Sequence, residues 1–316
     1  MKIVVTDAKT ITNGDISLDY LKKYGDVEIY DLTDASQTAG RIADADMVIV
    51  NKTVLDRENM KEAKNLKYIG LFATGYNNID IEYAKERGIA VCNAGSYSTS
   101  AVAQQVFSYI LAHSNRTAEY DAFVREGGWK RSDTFSPFVF PLCELDGKTL
   151  GIVGYGNIGK KVAEIARAFG MKVLAHTRTP KENENVQFCG FDTLLENSDY
   201  ITVHCPLNEA SKGLFGEKEF SKMKKTAYFI NTARGGVMDE EALVRAIKNG
   251  TIAGAAIDVL TTEPMSENCP LFNVKNITVT PHIAWAPIET RLRLMGIVED
   301  NIKAFLDGNT RNNVAK

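Results

Sequence analysis

Leu150-Gly151-Ile152-Val153-Gly154-Tyr155-Gly156-Asn157-Ile158-Gly159 holds G-x-G-x-x-G between an apolar β-type run and a helical pattern that continues to Phe169. In a turn of this kind the first glycine permits the tight bend and the second lets backbone approach a pyrophosphate. The third lets the helix pack close to the strand. The helix after the turn offers free N–H groups and its dipole to phosphate. A second apolar run, Lys172–Ala175, follows Gly170, so the stretch reads as the first βαβ turn of a dinucleotide-binding sheet.

Working outward from that turn, short apolar runs alternate with helical patterns, as in parallel sheets with crossover helices. Before it, strands are expected at Ile3–Thr6, Val27–Tyr30, Met47–Val50, Tyr68–Phe72 and Ala90–Cys92. Helices are expected at Asp56–Ala63, at Ile81–Arg87 and from Ser98 past Ala112. After it come strands at Leu150–Val153, Lys172–Ala175, Tyr200–His204, Ala227–Ile230, Ala253–Asp258 and Ile277–Thr280. A final helix, Pro287–Leu306, has no strand after it and is expected to return to the first domain. The fold class is therefore α/β, with two doubly wound parallel-sheet domains and a cleft between them. Residues 1–98 plus 286–316 are assigned to a substrate domain and residues 99–285 to a dinucleotide-binding Rossmann domain.

Composition narrows the function. The 316 residues carry a net charge of -3 and are 44% hydrophobic, which gives no footprint for nucleic acid or an anionic membrane. No apolar run reaches the roughly 18 residues of a membrane span. The chain starts directly on a strand, with no room for a signal peptide, and a cytoplasmic protein is expected. Five cysteines (Cys92, Cys143, Cys189, Cys205, Cys269) are odd in number and widely spaced, so neither a disulfide scaffold nor a structural zinc is expected. Three of them lie in or beside apolar runs, where a small buried thiol is the default. None of the four histidines pairs at metal-ligand spacing, so no metal site is expected.

Three strand-end segments hold the chemistry: Asn231-Thr232-Ala233-Arg234-Gly235, Asp258-Val259-Leu260-Thr261-Thr262-Glu263 and Thr280-Pro281-His282-Ile283-Ala284-Trp285. Ligands of open α/β sheets bind at such carboxyl ends. Reduction of a 2-oxo acid needs a guanidinium for the carboxylate and carbonyl, and a general acid for the oxygen. Histidine suits the second task near neutrality, and a carboxylate beside it favours the protonated ring and orients it. Arg234, His282 and Glu263 fill these roles. The second Rossmann strand should end in an acid that bonds the ribose hydroxyls. Here the chain reads His176-Thr177-Arg178, which leaves room for a 2′-phosphate. Either Arg178 pairs with that phosphate, or it is a solvated loop residue and neutral contacts hold the ribose. The cofactor is thus NAD or NADP.

With these segments, Ala73-Thr74-Gly75-Tyr76-Asn77-Asn78-Ile79-Asp80 and His204-Cys205-Pro206-Leu207, the chain resembles the D-isomer-specific 2-hydroxyacid dehydrogenase family along essentially its whole length. The resemblance places Arg234, Glu263 and His282 as the catalytic set. It implies substrate contacts at Asn51, Thr74, Gly75, Arg234 and Trp285. Cofactor contacts are implied at Gly154, Gly156, Asn157, Ile158, Gly159, Thr177, Arg178, His204, Pro206, Thr232, Ala233, Asp258 and His282. For His204, packing near the nicotinamide is the reading, not proton transfer, and His113 reads as a core or cap residue. Asn77-Asn78 and Trp285 are similar to the glycerate dehydrogenase / hydroxypyruvate reductase branch. The implied partner is a small 2-oxo acid, and a homodimer is implied through an arm within residues 114–140. Two rival readings stand beside this one: a nicotinamide-sensing corepressor of the same fold, and a dehydrogenase for another small anion such as formate or phosphite.

Overall fold

The computed structural model describes residues 1–180 and 185–316, in two compact units: Met1–Ser98 with Ala286–Lys316, and Thr99–Trp285. In the first unit, β1 (Lys2–Val5), β2 (Asp26–Ile29), β3 (Met47–Val50), β4 (Tyr68–Leu71) and β5 (Ala90–Cys92) form one parallel sheet in the order β2-β1-β3-β4-β5. The central runs Met47-Val48-Ile49-Val50 and Tyr68-Ile69-Gly70-Leu71 are buried at every residue, as expected of strands covered on both faces. β2 is the edge and is half-exposed. Helix starts follow short polar side chains: Asp56 accepts from the Asn59 amide and Asp80 from the Tyr83 amide. The helix expected over Asp56–Ala63 contracts to Arg57–Met60: Asp56 is its N-cap, and at Lys61 the chain leaves the helix for a turn closed by the Ala63 amide on the Met60 carbonyl. The closing helix, Ile288–Leu306, packs on β4, with the Phe305 ring 4.8 Å from Tyr68.

The second unit holds β6 (Thr149–Val153), β7 (Lys172–His176), β8 (Gln187–Phe188), β9 (Tyr200–Val203), β10 (Tyr228–Asn231), β11 (Gly254–Ile257) and β12 (Ile277–Val279). They form a parallel sheet in the order β12-β11-β10-β9-β6-β7-β8. Strand order reverses at β6, so the carboxyl ends of β6 and β9 flank the crevice where doubly wound sheets take ligands. Alternation along each strand builds two cores. Leu150, Ile152, Tyr228 and Ile230 pack on one face with Val162, Ala166 and Tyr109. Val153, Phe229, Val203 and Ile257 pack on the other with Phe215, Phe220 and Leu194. β8 was not foreseen, since two edge residues are too few to show a period.

Only Cys92 is fully buried, and burial pushes its thiol up to about 11; the other four cysteines are half-buried, so the expectation of three buried thiols is too generous. His113 stacks on Tyr228 at 4.1 Å, and burial lowers its pKa. Residues 114–140 hold the end of the helix Thr99–Asn115, a helix Thr117–Arg125 with no buried residue, a 3-10 turn at Trp129–Arg131, and then irregular chain in which Phe135 and Phe138 are about nine-tenths exposed. Among the described residues no helix is long and apolar enough to cross a membrane, and no group of His, Cys, Asp or Glu is arranged to hold a metal ion.

Candidate active site

The glycine turn joins β6 to the helix Asn157–Ala168. Gly154 has φ +97°, and a Cβ there would meet the Cys205 amide nitrogen at 2.5 Å, so only glycine fits between the ends of β6 and β9. A Cβ on Gly159 would strike the Gly154 carbonyl oxygen at 2.4 Å, which is the close helix–strand approach the spacing predicts. Gly156 has open space where its Cβ would stand. Backbone bonds from the Gly154 amide to the His176 carbonyl and from the His204 amide to the Val153 carbonyl tie the three strand ends together. Asn157 is exposed and Ile158 half-buried at the first turn of the helix.

Two buried polar atoms at these strand ends have no hydrogen-bond partner among the described residues: Thr232 Oγ1 and His204 Nδ1. Such orphans are costly unless a ligand satisfies them. With the open face of Gly156 they fit a dinucleotide seated across the crevice. The other His204 nitrogen, Nε2, lies 3.0 Å from Thr202 Oγ1, and burial pushes the histidine down to about 3, so its ring is neutral. Part of the residue touches solvent, but Nδ1 does not. Beyond β7, Thr177 is half-buried and Arg178 exposed, while the Nδ1 of His176 is 3.2 Å from the Cys189 carbonyl. Pro206 is exposed, and its carbonyl accepts from Ser211 Oγ.

Arg234 follows β10 in extended conformation and is half-buried. Its Nη1 donates to the Ala233 carbonyl at 2.7 Å, and Asn231 braces the turn by accepting from the Ala233 amide and donating to the Arg234 carbonyl. The next residue, Gly235, lies so close to the following loop that a Cβ would fall 1.9 Å from the Leu260 carbonyl carbon. That contact brings the arginine turn against the loop carrying Glu263. Glu263 is fixed at both oxygens: Oε1 accepts from the Leu260 amide at 2.9 Å, and Oε2 lies 2.7 Å from His282 Nδ1.

His282 sits at φ +54°, unusual for a residue with a side chain. Asp258 holds it there. The Asp258 carbonyl accepts from the His282 amide, Oδ1 accepts from the Ile283 amide and from Thr280 Oγ1, and Oδ2 accepts from the Ala284 amide. Thr280 spends its only proton on Asp258, so Tyr109 is the donor in the 2.5 Å contact between the two hydroxyls. Sequence reasoning placed Asp258 among the cofactor contacts and missed this clamp, as it missed Tyr109, Thr280 and the close approach at Gly235. Trp285 is half-buried at the end of the same segment.

In the first unit, Asn51 is buried directly after β3. Thr74 and Gly75 follow β4, where Thr74 Oγ1 donates to the Gly95 carbonyl and the Thr74 carbonyl accepts from Asn93 Nδ2 at 2.8 Å.

Comparison with known proteins identifies the family. Residues 107–284 match the family described as D-isomer specific 2-hydroxyacid dehydrogenase, NAD binding domain. The chain is 41% identical to a hydroxypyruvate reductase of Blautia hydrogenotrophica over 100% of both chains. It is 44% identical to a glyoxylate reductase of Thermococcus litoralis over 85% of this chain and 82% of the relative. Among solved structures, it resembles the NADPH-dependent glyoxylate/hydroxypyruvate reductase of Sinorhizobium meliloti in complex with NADP and malonate, with TM-score 0.85 and 29% identity over 99% of this chain and 96% of that one.

Proposed function

The chain belongs to the D-isomer specific 2-hydroxyacid dehydrogenase family and is an NAD(P)-dependent oxidoreductase; from that premise we propose that it reduces hydroxypyruvate or glyoxylate to D-glycerate or glycolate, with NADPH accepted as well as or better than NADH. The observation that carries the chemistry is the 2.7 Å contact between His282 Nδ1 and Glu263 Oε2, on a loop braced by Asp258. A carboxylate on Nδ1 keeps a proton on that nitrogen and leaves Nε2 to give its proton to the substrate oxygen.

When bound, the nicotinamide supplies the hydride to the carbonyl carbon. The protein's residues do the rest. Arg234 binds the substrate carboxylate through its planar fork and draws charge from the carbonyl oxygen. Protonated His282 donates from Nε2 as the oxygen becomes an alcohol, and the neutral ring takes that proton back in oxidation. Thr74 and Gly75 contribute backbone donors for the carboxylate, Asn51 contacts the substrate, and the Trp285 indole limits the size of the group on C2. The unit of residues 1–98 and 286–316 is accordingly the substrate domain. Gly154, Gly156, Gly159, Asn157 and Ile158 would cradle the pyrophosphate, and Pro206, Thr232 and Ala233 would hold the nicotinamide end.

Thr177 stands where an acid would repel a 2′-phosphate, and exposed Arg178 is free to meet that group. A charge-assisted hydrogen bond is worth about 1.5–3 kcal/mol. Arg178→Ala should therefore raise the KM for NADPH roughly tenfold or more and leave that for NADH unchanged. Equal effects on both cofactors would place the arginine away from the phosphate. Turnover on a panel of 2-oxo acids tests the substrate: hydroxypyruvate and glyoxylate should outrun branched or aromatic 2-oxo acids. The opposite ranking overturns the role given to Trp285.

We also propose a homodimer through the exposed arm, where Trp129, Phe135 and Phe138 leave large apolar side chains exposed, as interaction surfaces do. Sedimentation equilibrium should give twice the chain mass, and a monomer at micromolar concentration would contradict it. Five unpaired cysteines suit a reducing compartment, which is the ground for placing the enzyme in the cytoplasm.

A further inference from the structure

Asp7 lies just past β1 and is 2% exposed, and among the described residues no cation pairs with it. Its neutralisation comes from the backbone. Oδ1 accepts from the Asn51 amide at 2.9 Å and from Thr6 Oγ1 at 3.2 Å. Oδ2 accepts from the Lys52 amide at 2.5 Å and the Thr53 amide at 2.8 Å. Three successive N–H groups thus converge on one carboxylate, an arrangement that in other loops binds a ligand anion.

The same residue also sets the side chain of Asn51. The Asp7 carbonyl accepts from Thr10 Oγ1 at 2.7 Å, and Thr10 Oγ1 in turn accepts from Asn51 Nδ2 at 3.0 Å. From the opposite side, Asn78 Nδ2 donates to the carbonyls of Thr53 and Asn51. Backbone, amide plane and neighbouring loop are all referenced to Asp7. A buried carboxylate is expensive, and a fold that only needed to end β3 has cheaper ways to do so.

We infer that Asp7 is a positioning residue: its buried carboxylate occupies the amide nest of residues 51–53 and fixes the Asn51 backbone, while its carbonyl, through Thr10, orients the Asn51 side chain for the 2-oxo acid. The inference rests on the proposed role of Asn51 as a substrate contact. It carries a corollary for specificity. The nest is filled by the protein's own anion, so the substrate carboxylate is excluded from it and must be bound by other donors.

The test is steady-state reduction of hydroxypyruvate by the full-length protein, with NADPH affinity measured separately by fluorescence titration. Asp7→Asn replaces one acceptor oxygen by a donor facing the amides, and should raise the KM for hydroxypyruvate about tenfold or more. The kcat should change less than threefold, and the NADPH affinity should stay at the wild-type value. Thr10→Val leaves the nest intact and cuts only the tie to Asn51, so it should raise the same KM about threefold. It also serves as the measurement should Asp7→Asn fail to fold. Asp7→Ala leaves a hole of carboxylate size, and added formate should lower its raised KM toward wild type. Asn51→Ala separates the inference from its premise. If Asn51→Ala raises the KM while Asp7→Asn and Thr10→Val do not, Asp7 is not a positioning residue and the substrate contact stands. If Asn51→Ala leaves the KM unchanged, both are overturned.

Discussion

His204 and His282 both stand just beyond the carboxyl end of a parallel strand of the same sheet, one past β9 and the other past β12. Their surroundings are opposite. His204 has Thr202 at one nitrogen and, among the described residues, no partner at the other, and burial holds it neutral. His282 has a carboxylate on Nδ1, and its ring reaches solvent, with the side chain 26% exposed. The proposed proton donor differs from its neighbour in two ways: His282 has a carboxylate at Nδ1 and a ring open to solvent, and among the described residues His204 has no carboxylate at either nitrogen.

The largest way to blur the difference is to remove the charge beside His282. Glu263→Gln keeps a hydrogen-bond acceptor but loses the charge assistance, worth about 1.5–3 kcal/mol. The kcat should fall about tenfold to a hundredfold with little change in the KM for NADPH, and an unaltered kcat would mean that Glu263 does not act through the ring. A smaller loss should follow from loosening the clamp behind the ring. Thr280→Val removes the hydroxyl between Tyr109 and Asp258, and should lower kcat by about tenfold, because small misplacements of a catalytic group are costly. Thr280→Ser should restore it. A valine variant as active as wild type would show that the left-handed loop needs no such brace.

The smallest effect on turnover belongs to His204, whose burial appears in stability instead. Burial pushes its folded-state pKa down to about 3, below the usual histidine value of about 6.5, so the unfolded chain binds a proton that the native state refuses. The native state is then favoured fully above about pH 6.5, and that contribution is lost as pH falls from there toward 3. By pH 5 the loss amounts to about 2 kcal/mol at most. Urea titrations of wild type and His204→Asn should converge between pH 7 and pH 5, with the wild type falling faster. Parallel pH dependence in the two proteins would mean that the native ring takes up its proton as readily as the unfolded chain does.

The glycine turn was legible because Gly154 and Gly159 answer to backbone geometry, which spacing records. Arg234, Glu263 and His282 were legible as residue types at strand ends, and the structure joins Glu263 to His282 directly. The different readings of His204 and His282 were made from the sequence, but the burial and the lone Thr202 contact that set His204 apart were not legible there, since they depend on packing by other strands. Asp7 and Asp258 were hidden for a related reason. Each binds successive backbone amides of a loop far along the chain, and backbone amides leave no mark in a sequence. β8 and the shortened helix after Asp56 were lost to brevity, where one cap or two edge residues decide the boundary.

The most direct test of the contrast is single-turnover reduction of hydroxypyruvate with NADPH, read by absorbance at pH 7, in His282→Asn and His204→Asn side by side. The proposed roles predict a fall of about 10²–10⁴ in the rate of the first variant, the usual scale for a lost general acid, and a change within about tenfold in the second. A His282→Asn enzyme within tenfold of wild type, or a greater loss in His204→Asn, would contradict the assignment of His282 as the proton donor.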